Sequence, residues 1–483
     1  MIDLREEAIA SLAAFASIPA WLAAGMDGER VGRELVRRIP DLSDGRLRLI
    51  GCTPERLRAR GDEWFIRYRV SIADGHGVPS DVILVGKLWA PGRGMPAVDG
   101  VPSGRPGDAG WSCWLPDLRL ELRVETRDES LPALPTLVEP AAAARLLQPI
   151  VRNAGYREAT IATCLPEVVR YKPGSRCTVV VRLAYEDEGA TPTPPNPIVL
   201  KTHQGDKGQV AWSAMTALWD RQGAWSDAVS LAEPLAYLPD ARILVQGPVP
   251  GERTLKELAR EAIGTGSQGL LDELRQELAK TAMALASIHG SGATYGRTAT
   301  FEQEIAEVRE LVSRLALTVP ELGMAGDFLI RRLAELSAGE PPDPVVPAHR
   351  TFRPAQVLLH RGRIGFVDFD GASMAEPALD LGRFRARLRD IGISAVTRGD
   401  GPSGAAAAET LGLLDDLCEG FLASYQTHRP VSRTRVLLWE ARDLVTGLLH
   451  AWTKVRLPRV RPRLSVLVHQ LRTTGIVERR LPV

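Results

Sequence analysis

The sequence predicts an α+β fold, in which a small antiparallel sheet precedes a mostly helical domain. Before residue 250, short runs rich in β-branched residues are bounded by turns, as at 176–186, 197–203 and 241–249. Beyond about residue 255, apolar residues recur at three-and-four spacing, as at 270–290 and 302–316, which is the period of an amphipathic helix. An internal repeat predicts a further sheet unit on the N-terminal side of this sheet.

The length and the charge limit the classes of protein that this chain can be. A chain of 483 residues exceeds the ~250–300 residues of a single core, so more than one structural unit is expected. Its 60 Lys and Arg residues balance 59 Asp and Glu residues, which leaves a formal net charge of +1. Because no strong field would attract nucleic acid or an anionic membrane, neither is an expected partner.

The cysteine pattern and the N-terminal residues favour a reducing compartment. The five cysteines are odd in number, scattered and without a CxxC pair, so they predict thiols rather than a disulfide framework or a zinc site. The Ala-rich start lacks a basic region, and Pro19 and Asp27 bound a short apolar run, so neither a signal peptide nor a membrane span is expected. We expect a cytoplasmic protein. The cysteines are Cys52, Cys113, Cys164, Cys177 and Cys418.

Three blocks of sequence recur in the same order, which is hard to obtain by chance. Lys87 matches Lys201, and a Leu-Pro-Asp segment occurs in the third block of each copy. The repeat predicts that residues 1–130 form a degenerate duplicate of the sheet lobe at 131–247, which is followed by a helical lobe at 248–483. The matching blocks are 52–70 with 164–183, 83–94 with 198–208, and 114–122 with 237–245.

The two copies differ after the matching lysines. Residues 209–225 of the later copy have the pattern of an amphipathic helix, whereas the earlier copy has a Gly- and Pro-rich loop at 95–110. The earlier copy is therefore predicted to have lost a helix. One hypothesis for its role is that it docks a protein partner.

The residues that carry chemistry lie in one stretch, AHRTFRPAQVLLHRGRIGFVDFDGASMAEPALDLGRF (348–384). It places His349 and Thr351 before a predicted strand and Asp368 after it. Together with a lysine on the third strand of the sheet, this ordered set resembles the aminoglycoside phosphotransferase family within the protein-kinase-like fold. The resemblance covers about residues 130–483. It implies two lobes, a small antiparallel sheet lobe and a mostly helical lobe, preceded here by an extra unit like the sheet lobe.

The resemblance implies a phosphotransferase that uses ATP and magnesium. Phosphoryl transfer needs the triphosphate held, its charge neutralised and the acceptor hydroxyl placed in line. Lys201 stands at the position of the lysine that contacts the phosphates in that family. Asp368 stands at the position of the family's metal-binding aspartate, and Gln356 replaces the asparagine that provides a second metal contact. Asp370 is a weaker second candidate for the metal. The other positions assigned to the nucleotide are Pro173, Gly174, Ser175, Gln246 and Val249.

Three positions depart from the family's pattern. Thr351 replaces the aspartate that accepts the proton of the acceptor hydroxyl, and a threonine hydroxyl is no base near neutral pH. Gln356 is one methylene longer than the expected asparagine. The helix after Lys201 offers no acidic residue before Asp220, so Lys201 is expected to be paired differently or held less firmly. His349 is expected to brace the loop.

Two hypotheses follow from these residues. The first is a phosphotransferase acting on a hydroxyl of a small molecule, sugar or peptide, and the second is a pseudokinase that binds nucleotide or a partner without transferring phosphate. The duplicate at 1–130 should bind no nucleotide in either case. An aminoglycoside acceptor is not favoured, because the C-terminal region is net positive except on one helix around residue 415. His289 and Asp380 are expected to pack and to anchor rather than to react.

Overall fold

The computed structural model describes residues 12–60, 63–74, 79–92, 111–124, 131–172, 174–186, 191–397, 404–453 and 457–474. Contacts divide the chain into two compact units. Unit 1 comprises Met1–Arg127, Glu304–Leu336 and Leu444–Val483, and unit 2 comprises Asp128–Gln303 and Ser337–Asp443. The division drawn from the sequence, with boundaries at residues 130 and 247, stays a prediction.

Helices and antiparallel sheets both build the molecule, which confirms the predicted α+β class. The helices are α1 (Ala20–Met26), α2 (Gly28–Arg38), α3 (Pro40–Ser43), α4 (Leu134–Val138), α5 (Pro140–Asn153), α6 (Lys207–Trp219), α7 (Leu255–Thr265), α8 (Gln268–Gly290), α9 (Phe301–Ala316), α10 (Pro320–Ala338), α11 (Pro377–Val396), α12 (Gly404–Gln426), α13 (Arg433–Trp452) and α14 (Leu457–Thr473). The strands are β1 (Arg48–Arg60), β2 (Glu63–Ala73), β3 (Pro79–Leu88), β4 (Ser112–Leu115), β5 (Leu120–Val124), β6 (Ile161–Lys172), β7 (Arg176–Tyr185), β8 (Ile198–His203), β9 (Ser230–Leu231), β10 (Pro234–Leu238), β11 (Ile243–Gln246), β12 (Arg253–Thr254), β13 (Val346–Ala348), β14 (Val357–His360), β15 (Arg363–Phe366) and β16 (Ser373–Ala375).

Unit 1 is built around a five-stranded antiparallel sheet in the order β1-β2-β3-β5-β4. Alternate residues of β2 are buried, among them Trp64 and Tyr68, because successive side chains of a strand point to opposite faces. The ring of Trp64 meets that of Trp452 edge-on, with centroids 5.7 Å apart. The hydroxyl of Tyr68 donates to the carbonyl of Gly25 at 2.7 Å. These contacts close one face of the sheet into a core.

Unit 2 contains a second five-stranded antiparallel sheet, in the order β6-β7-β8-β11-β10. Its core joins side chains of the sheet with those of α4 and α5, such as Val179 and Leu200 with Leu147. The strand β8, which carries Lys201, lies at the centre of this sheet, so the lysine is held by neighbouring strands on both sides. The predicted helix after this strand is present as α6, although it ends at Trp219 rather than continuing to residue 225.

The rest of unit 2 is mostly helical, with two small sheets. Helix α7 begins at a capping box, in which the Thr254 hydroxyl accepts from the N–H of Glu257 and the Glu257 carboxylate accepts from the N–H of Thr254. One small sheet has the order β12-β14-β15-β9, and the other pairs β13 with β16. These short strands lie on either side of the segments that carry the candidate site.

Both five-stranded sheets have the same topology, in which the first three strands follow chain order and the last two are exchanged. Residues related by the sequence repeat also share a backbone conformation, since Arg119 and Arg242 both have a φ of 51°. The N–H of each donates to a proline carbonyl three residues earlier, Pro116 at 3.0 Å and Pro239 at 3.1 Å. The topology agrees with the repeat, while the loop at 95–110 lies outside the described residues.

All five cysteines are thiols, as the sequence predicts, and four of them are buried. Burial raises the pKa of Cys113 and of Cys418 to about 11, so both stay protonated and unreactive near neutral pH. Across the parts of the chain that the structure describes, no helix combines the length and the hydropathy needed to cross a membrane.

Candidate active site

The segment 349–356 joins two antiparallel strand pairs, which fix its position. It leaves β13, which pairs with β16, and it ends in a short 3-10 turn, Pro354–Gln356, before β14. Strand β14 pairs with β15, which leads into Asp368. The N–H of Val367 donates to the carbonyl of Gln356 at 3.1 Å, so the two segments run side by side. Gln356 and Asp368 thereby become neighbours.

A buried network anchors the start of this segment. Asp380, in the first turn of α11, is fully buried, and its Oδ2 accepts from the backbone N–H of His349 at 2.7 Å. The same oxygen lies 3.2 Å from Nε2 of His289, whose Nδ1 lies 2.8 Å from the hydroxyl of Tyr425. Both His289 and Asp380 therefore hold the loop against the helices, in agreement with the packing and anchoring roles expected of them.

The imidazole of His349 sets the hydrogen bonding of Thr351. Nε2 of His349 lies 3.1 Å from the carbonyl of Val367, and a carbonyl only accepts, so this nitrogen carries the proton. Burial lowers the pKa of His349, which keeps the ring neutral. Its bare Nδ1 lies 3.3 Å from Oγ1 of Thr351, so the threonine hydroxyl donates to it. His349 braces the loop through these bonds, and Thr351 presents no basic group.

Lys201 is paired with carboxylates of the loop that follows β15. Its Nζ lies 3.3 Å from Oδ1 of Asp368 and 3.3 Å from Oδ1 of Asp370, and the lysine is buried. Arg176, at the start of β7, adds a second cation 3.2 Å from Oδ2 of Asp370 and 3.9 Å from Oδ1 of Asp368. The lysine is thus paired differently from the glutamate contact that the family's pattern leads one to expect.

The two aspartates, Asp368 and Asp370, have different partners. Burial alone would raise the pKa of Asp370, but Lys201 and a 2.8 Å hydrogen bond to His203 outweigh it and hold this pKa well below its usual range. Asp370 is therefore an anion with three cationic or hydrogen-bonding partners. Asp368 keeps its Oδ2 on the opposite side, facing Gln356, and its backbone has a φ of 75°, in the left-handed region that non-glycine residues rarely adopt.

Gln356 lies between the aspartate and the threonine and retains an unused acceptor. It is buried, and its Nε2 donates to Oδ2 of Asp368 at 3.3 Å and to Oγ1 of Thr351 at 3.4 Å. Its Oε1 is buried without a hydrogen-bond partner among the described residues. A half-turn of the amide would exchange the two atoms and bring this oxygen to the carboxylate, so the pair can offer two oxygen ligands to a hard cation.

The donor set for such a cation is small. Within the described part of the chain, no three His, Cys, Asp or Glu side chains gather into a metal site. Magnesium commonly binds through one or two protein oxygens together with phosphate oxygens and water. Asp368 and Gln356 therefore fit a magnesium ion that arrives with a nucleotide, and they do not form a closed cage by themselves.

A comparison with protein-family models identifies the segment that contains these residues. Residues 255–400 match the model of the phosphotransferase enzyme family, APH. The match confirms the family resemblance stated from the sequence, and it includes the loop with Thr351 and the aspartate Asp368. This part of the chain is therefore similar to the phosphotransferase family.

Solved structures that the chain resembles are also kinases and phosphotransferases. A glucosamine kinase in complex with glucosamine, ADP and inorganic phosphate is 16% identical, with a TM-score of 0.47 over 92% of this chain and 98% of that chain. The choline kinase LicA from Streptococcus pneumoniae is 13% identical, with a TM-score of 0.43 over 68% and 98%. A streptomycin-ATP-APH(2")-IIa ternary complex is 11% identical, with a TM-score of 0.40 over 63% and 92%. The search of curated proteins found no match.

The positions assigned to the nucleotide lie at or near the ends of strands in the second five-stranded sheet. Gly174 is at the tip of the β6-β7 hairpin with a φ of 65°, and Ser175 accepts from the N–H of Gln204 at 2.8 Å. Gln246 is buried at the end of β11, which pairs with β8, and Val249 is half-buried three residues later. Pro173 lies outside the described residues. These residues flank Lys201, and their contact with a nucleotide stays a prediction.

Sequence reasoning did not assign three side chains of this candidate site. Arg176 and His203 reach Asp370, and Arg353 lies 3.9 Å from Asp368. His203 follows Lys201 by two residues on the same strand, so the two-residue period of a strand could have placed it on the same face. No comparable signal marks Arg176, because its partner lies in a segment far along the chain.

Proposed function

We propose that the protein is an ATP-dependent phosphotransferase that transfers phosphate to a hydroxyl of a small molecule or peptide. The observation that carries the proposal is the meeting of Lys201 with Asp368 at 3.3 Å, beside the unused Oε1 of Gln356. This arrangement places a cation for phosphate oxygens next to oxygen ligands for a metal ion. The match of residues 255–400 to a phosphotransferase family supports the same assignment.

Each residue has a distinct part in this proposal. Lys201 and Arg176 bind phosphate oxygens through their charge, at the side of the site formed by the sheet. Asp368 and Gln356 would hold a magnesium ion, which would neutralise the charge of the phosphates when the nucleotide is bound. His349 and Asp380 keep the loop in place, so that the acceptor hydroxyl meets a fixed surface. Positioning and charge stabilisation supply most of the catalysis of phosphoryl transfer.

The site gives the least help to the removal of the proton from the acceptor hydroxyl. Thr351 donates its own hydrogen bond to His349, and it cannot take a proton near neutral pH. General-base help is typically worth ~10²–10⁴-fold, so its absence slows phosphoryl transfer without forbidding it. A slow phosphotransferase is the function that we propose.

A pseudokinase is the second candidate, and one observation favours it. Lys201, Arg176, Asp368 and Asp370 form a set of mutual ion pairs. Nucleotide must open part of this set in order to bind, because the lysine and the arginine have to turn from carboxylates to phosphates. If the set stays closed, the protein serves as a scaffold.

Calorimetric titration of the full chain with ATP and magnesium separates these outcomes. Binding followed by release of ADP in the presence of a hydroxyl acceptor supports the phosphotransferase. Binding without ADP release over hours identifies a nucleotide-binding pseudokinase. Absence of binding refutes the phosphotransferase outright.

The two lysines related by the repeat provide a matched pair of variants. Lys201→Met should weaken ATP binding at least about tenfold, because a hydrogen bond to a charged group is worth ~1.5–3 kcal/mol. Lys87→Met should leave ATP binding unchanged, since Lys87 pairs with Glu63 and lies 4.3 Å from the ring centroid of Trp89. Calorimetry on both variants checks this. Equal effects of the two substitutions would contradict the assignment of Lys201.

Substitution of Thr351 tests whether the site lacks only a base. Thr351→Asp should raise the rate of ADP release by about tenfold or more, because it adds a carboxylate where general-base help is worth ~10²–10⁴-fold. Thr351→Val, which has the same shape without the hydroxyl, should lower the rate by less than about tenfold, since one neutral hydrogen bond is worth ~0.5–1.5 kcal/mol. A steady-state assay of both variants provides the comparison. A large loss in Thr351→Val would show that the hydroxyl itself takes part in catalysis.

A further inference from the structure

Arg353 has a partly buried guanidinium group that is weakly paired among the described residues. It follows Thr351 by two residues, and its Nε is buried without a hydrogen-bond partner among the described residues. Its one ion pair within those residues is a long one, 3.9 Å from NH2 to Oδ2 of Asp368. A planar guanidinium with open donors is the group that best fits a carboxylate or a phosphate.

Other arginines surround this side chain. Burial lowers the pKa of Arg353, and repulsion from Arg387, Arg170 and Arg176 lowers it further. Arg170 is exposed on β6, at the position that pairs with Thr178 of β7. Arg176 and Arg387 have close carboxylate partners of their own, whereas the ion pair of Arg353 with Asp368 is long, at 3.9 Å.

Asp443, a carboxylate on the helical side, is already paired with arginine side chains. Asp443 is buried and is shared by Arg383 at 2.9 Å, Arg387 at 2.8 Å and Arg442 at 3.8 Å. Arg383 also donates to the carbonyl of Arg350, the residue before Thr351. The pKa of Asp443 is held below its usual range by these arginines, although burial alone would raise it. An ammonium group would have to displace a guanidinium from this carboxylate.

We propose that the acceptor is an anion, and that its carboxylate or phosphate group binds Arg353 while its hydroxyl lies next to Thr351. This inference rests on the proposed phosphotransferase function and narrows its substrate class. Acceptors of this class are hydroxy acids, sugar acids or sugar phosphates. An anionic group bound at Arg353 fills the unused donors and reduces the repulsion among the arginines, whereas an amino group is repelled by them.

A second source of the same chemistry is the nucleotide, since its terminal phosphate is also an oxyanion. The test must therefore be made with the nucleotide subsite filled. The full chain is saturated with a non-hydrolysable ATP analogue and magnesium. Glucose, glucosamine, glucuronate and glucose 6-phosphate, which differ mainly in charge, are then titrated calorimetrically, each up to tens of millimolar.

We expect glucuronate and glucose 6-phosphate to bind at least about tenfold more tightly than glucose, and glucosamine to bind more weakly than glucose. Arg353→Gln should remove this difference while leaving the affinity for the ATP analogue within about twofold. Arg353→Lys should retain part of it, because the charge remains without the planar fork. Arg157→Gln, a change of an exposed arginine in the turn between α5 and β6, is the matched control and should alter nothing.

Three results would overturn the proposal. The first is equal affinity for the neutral and acidic sugars, and absence of detectable binding of any sugar counts as this result. The second is a preference for acidic sugars that survives in Arg353→Gln. The third is binding of inorganic phosphate that the ATP analogue displaces. The third result would assign Arg353 to the nucleotide. Failure of the phosphotransferase proposal looks different, because the analogue itself would not bind. The same sugars titrated without nucleotide would then still decide the charge preference of the site.

Discussion

Replacing Asp368 with Asn should reduce the rate of phosphoryl transfer by about 10²–10³-fold, the usual loss when one preorganised electrostatic group is removed from an active site. Asn keeps the shape of the side chain and one oxygen, but it removes the charge that would hold a magnesium ion in the proposed site. It also leaves Lys201 with Asp370 as its carboxylate partner, 3.3 Å away. Because the buried lysine remains paired, we expect the variant to fold.

The measurement is the steady-state rate of ADP release at saturating ATP and magnesium, together with the affinity for the magnesium complex. Asp206→Asn is a matched control, since Asp206 is exposed before α6 and makes no capping hydrogen bond. It should keep the rate of the unsubstituted protein. An unchanged rate in Asp368→Asn would show that the metal is held elsewhere or that no metal takes part.

Replacing Glu440 with Gln should destabilise the fold by about 3–5 kcal/mol, which is the cost of leaving buried charges without their partner. Glu440, on α13, is fully buried between two arginines of α11. Its carboxylate accepts from Nε of Arg385 at 2.6 Å and from Nε of Arg389 at 2.5 Å. The amide keeps the size of the side chain and can accept only in part, so two guanidinium groups lose their buried counter-charge. They keep only the more exposed carboxylates of Glu419 and Asp415 as partners.

Urea unfolding of the full chain measures this loss. Glu419→Gln serves as the control, because Glu419 pairs with Arg385 at 2.8 Å but is 42% exposed. Exposed ion pairs are worth ~0–1 kcal/mol, so this control should cost at most about 1 kcal/mol. If the two substitutions cost the same, burial does not decide the strength of these ion pairs.

The same carboxylate predicts how stability depends on pH. Burial alone would raise the pKa of Glu440, but Arg385 and Arg389 outweigh it, so the pKa in the folded protein is lower than in the unfolded chain. The unfolded chain therefore takes up the proton first as the pH falls. The contribution of Glu440 is complete above the ordinary carboxyl pKa and is lost as the pH falls through the lowered value.

Several features of the site could be predicted because they are local in the chain. Thr351, Gln356 and Asp368 lie within one stretch, and a strand hairpin of ordinary length brings its two ends together. The identity of Lys201 as a strand residue followed by a helix also follows from the local pattern. The same reasoning could not find Arg176 or His203, whose contacts with Asp370 span more than a hundred and fifty residues.

By itself, the sequence determined the α+β class, the change from strands to helices near residue 250 and the absence of a carboxylate at Thr351, and it predicted the internal repeat. These properties depend on residue types and on hydrophobic periods of two and of 3.6 residues, and both can be read from residues that are neighbours in the chain. Only the tertiary structure decided which charges meet. The pairing of Lys201 with Asp368, the long ion pair of Arg353 with Asp368 and the sharing of Asp443 among arginines depend on how distant elements pack. No local period encodes that choice.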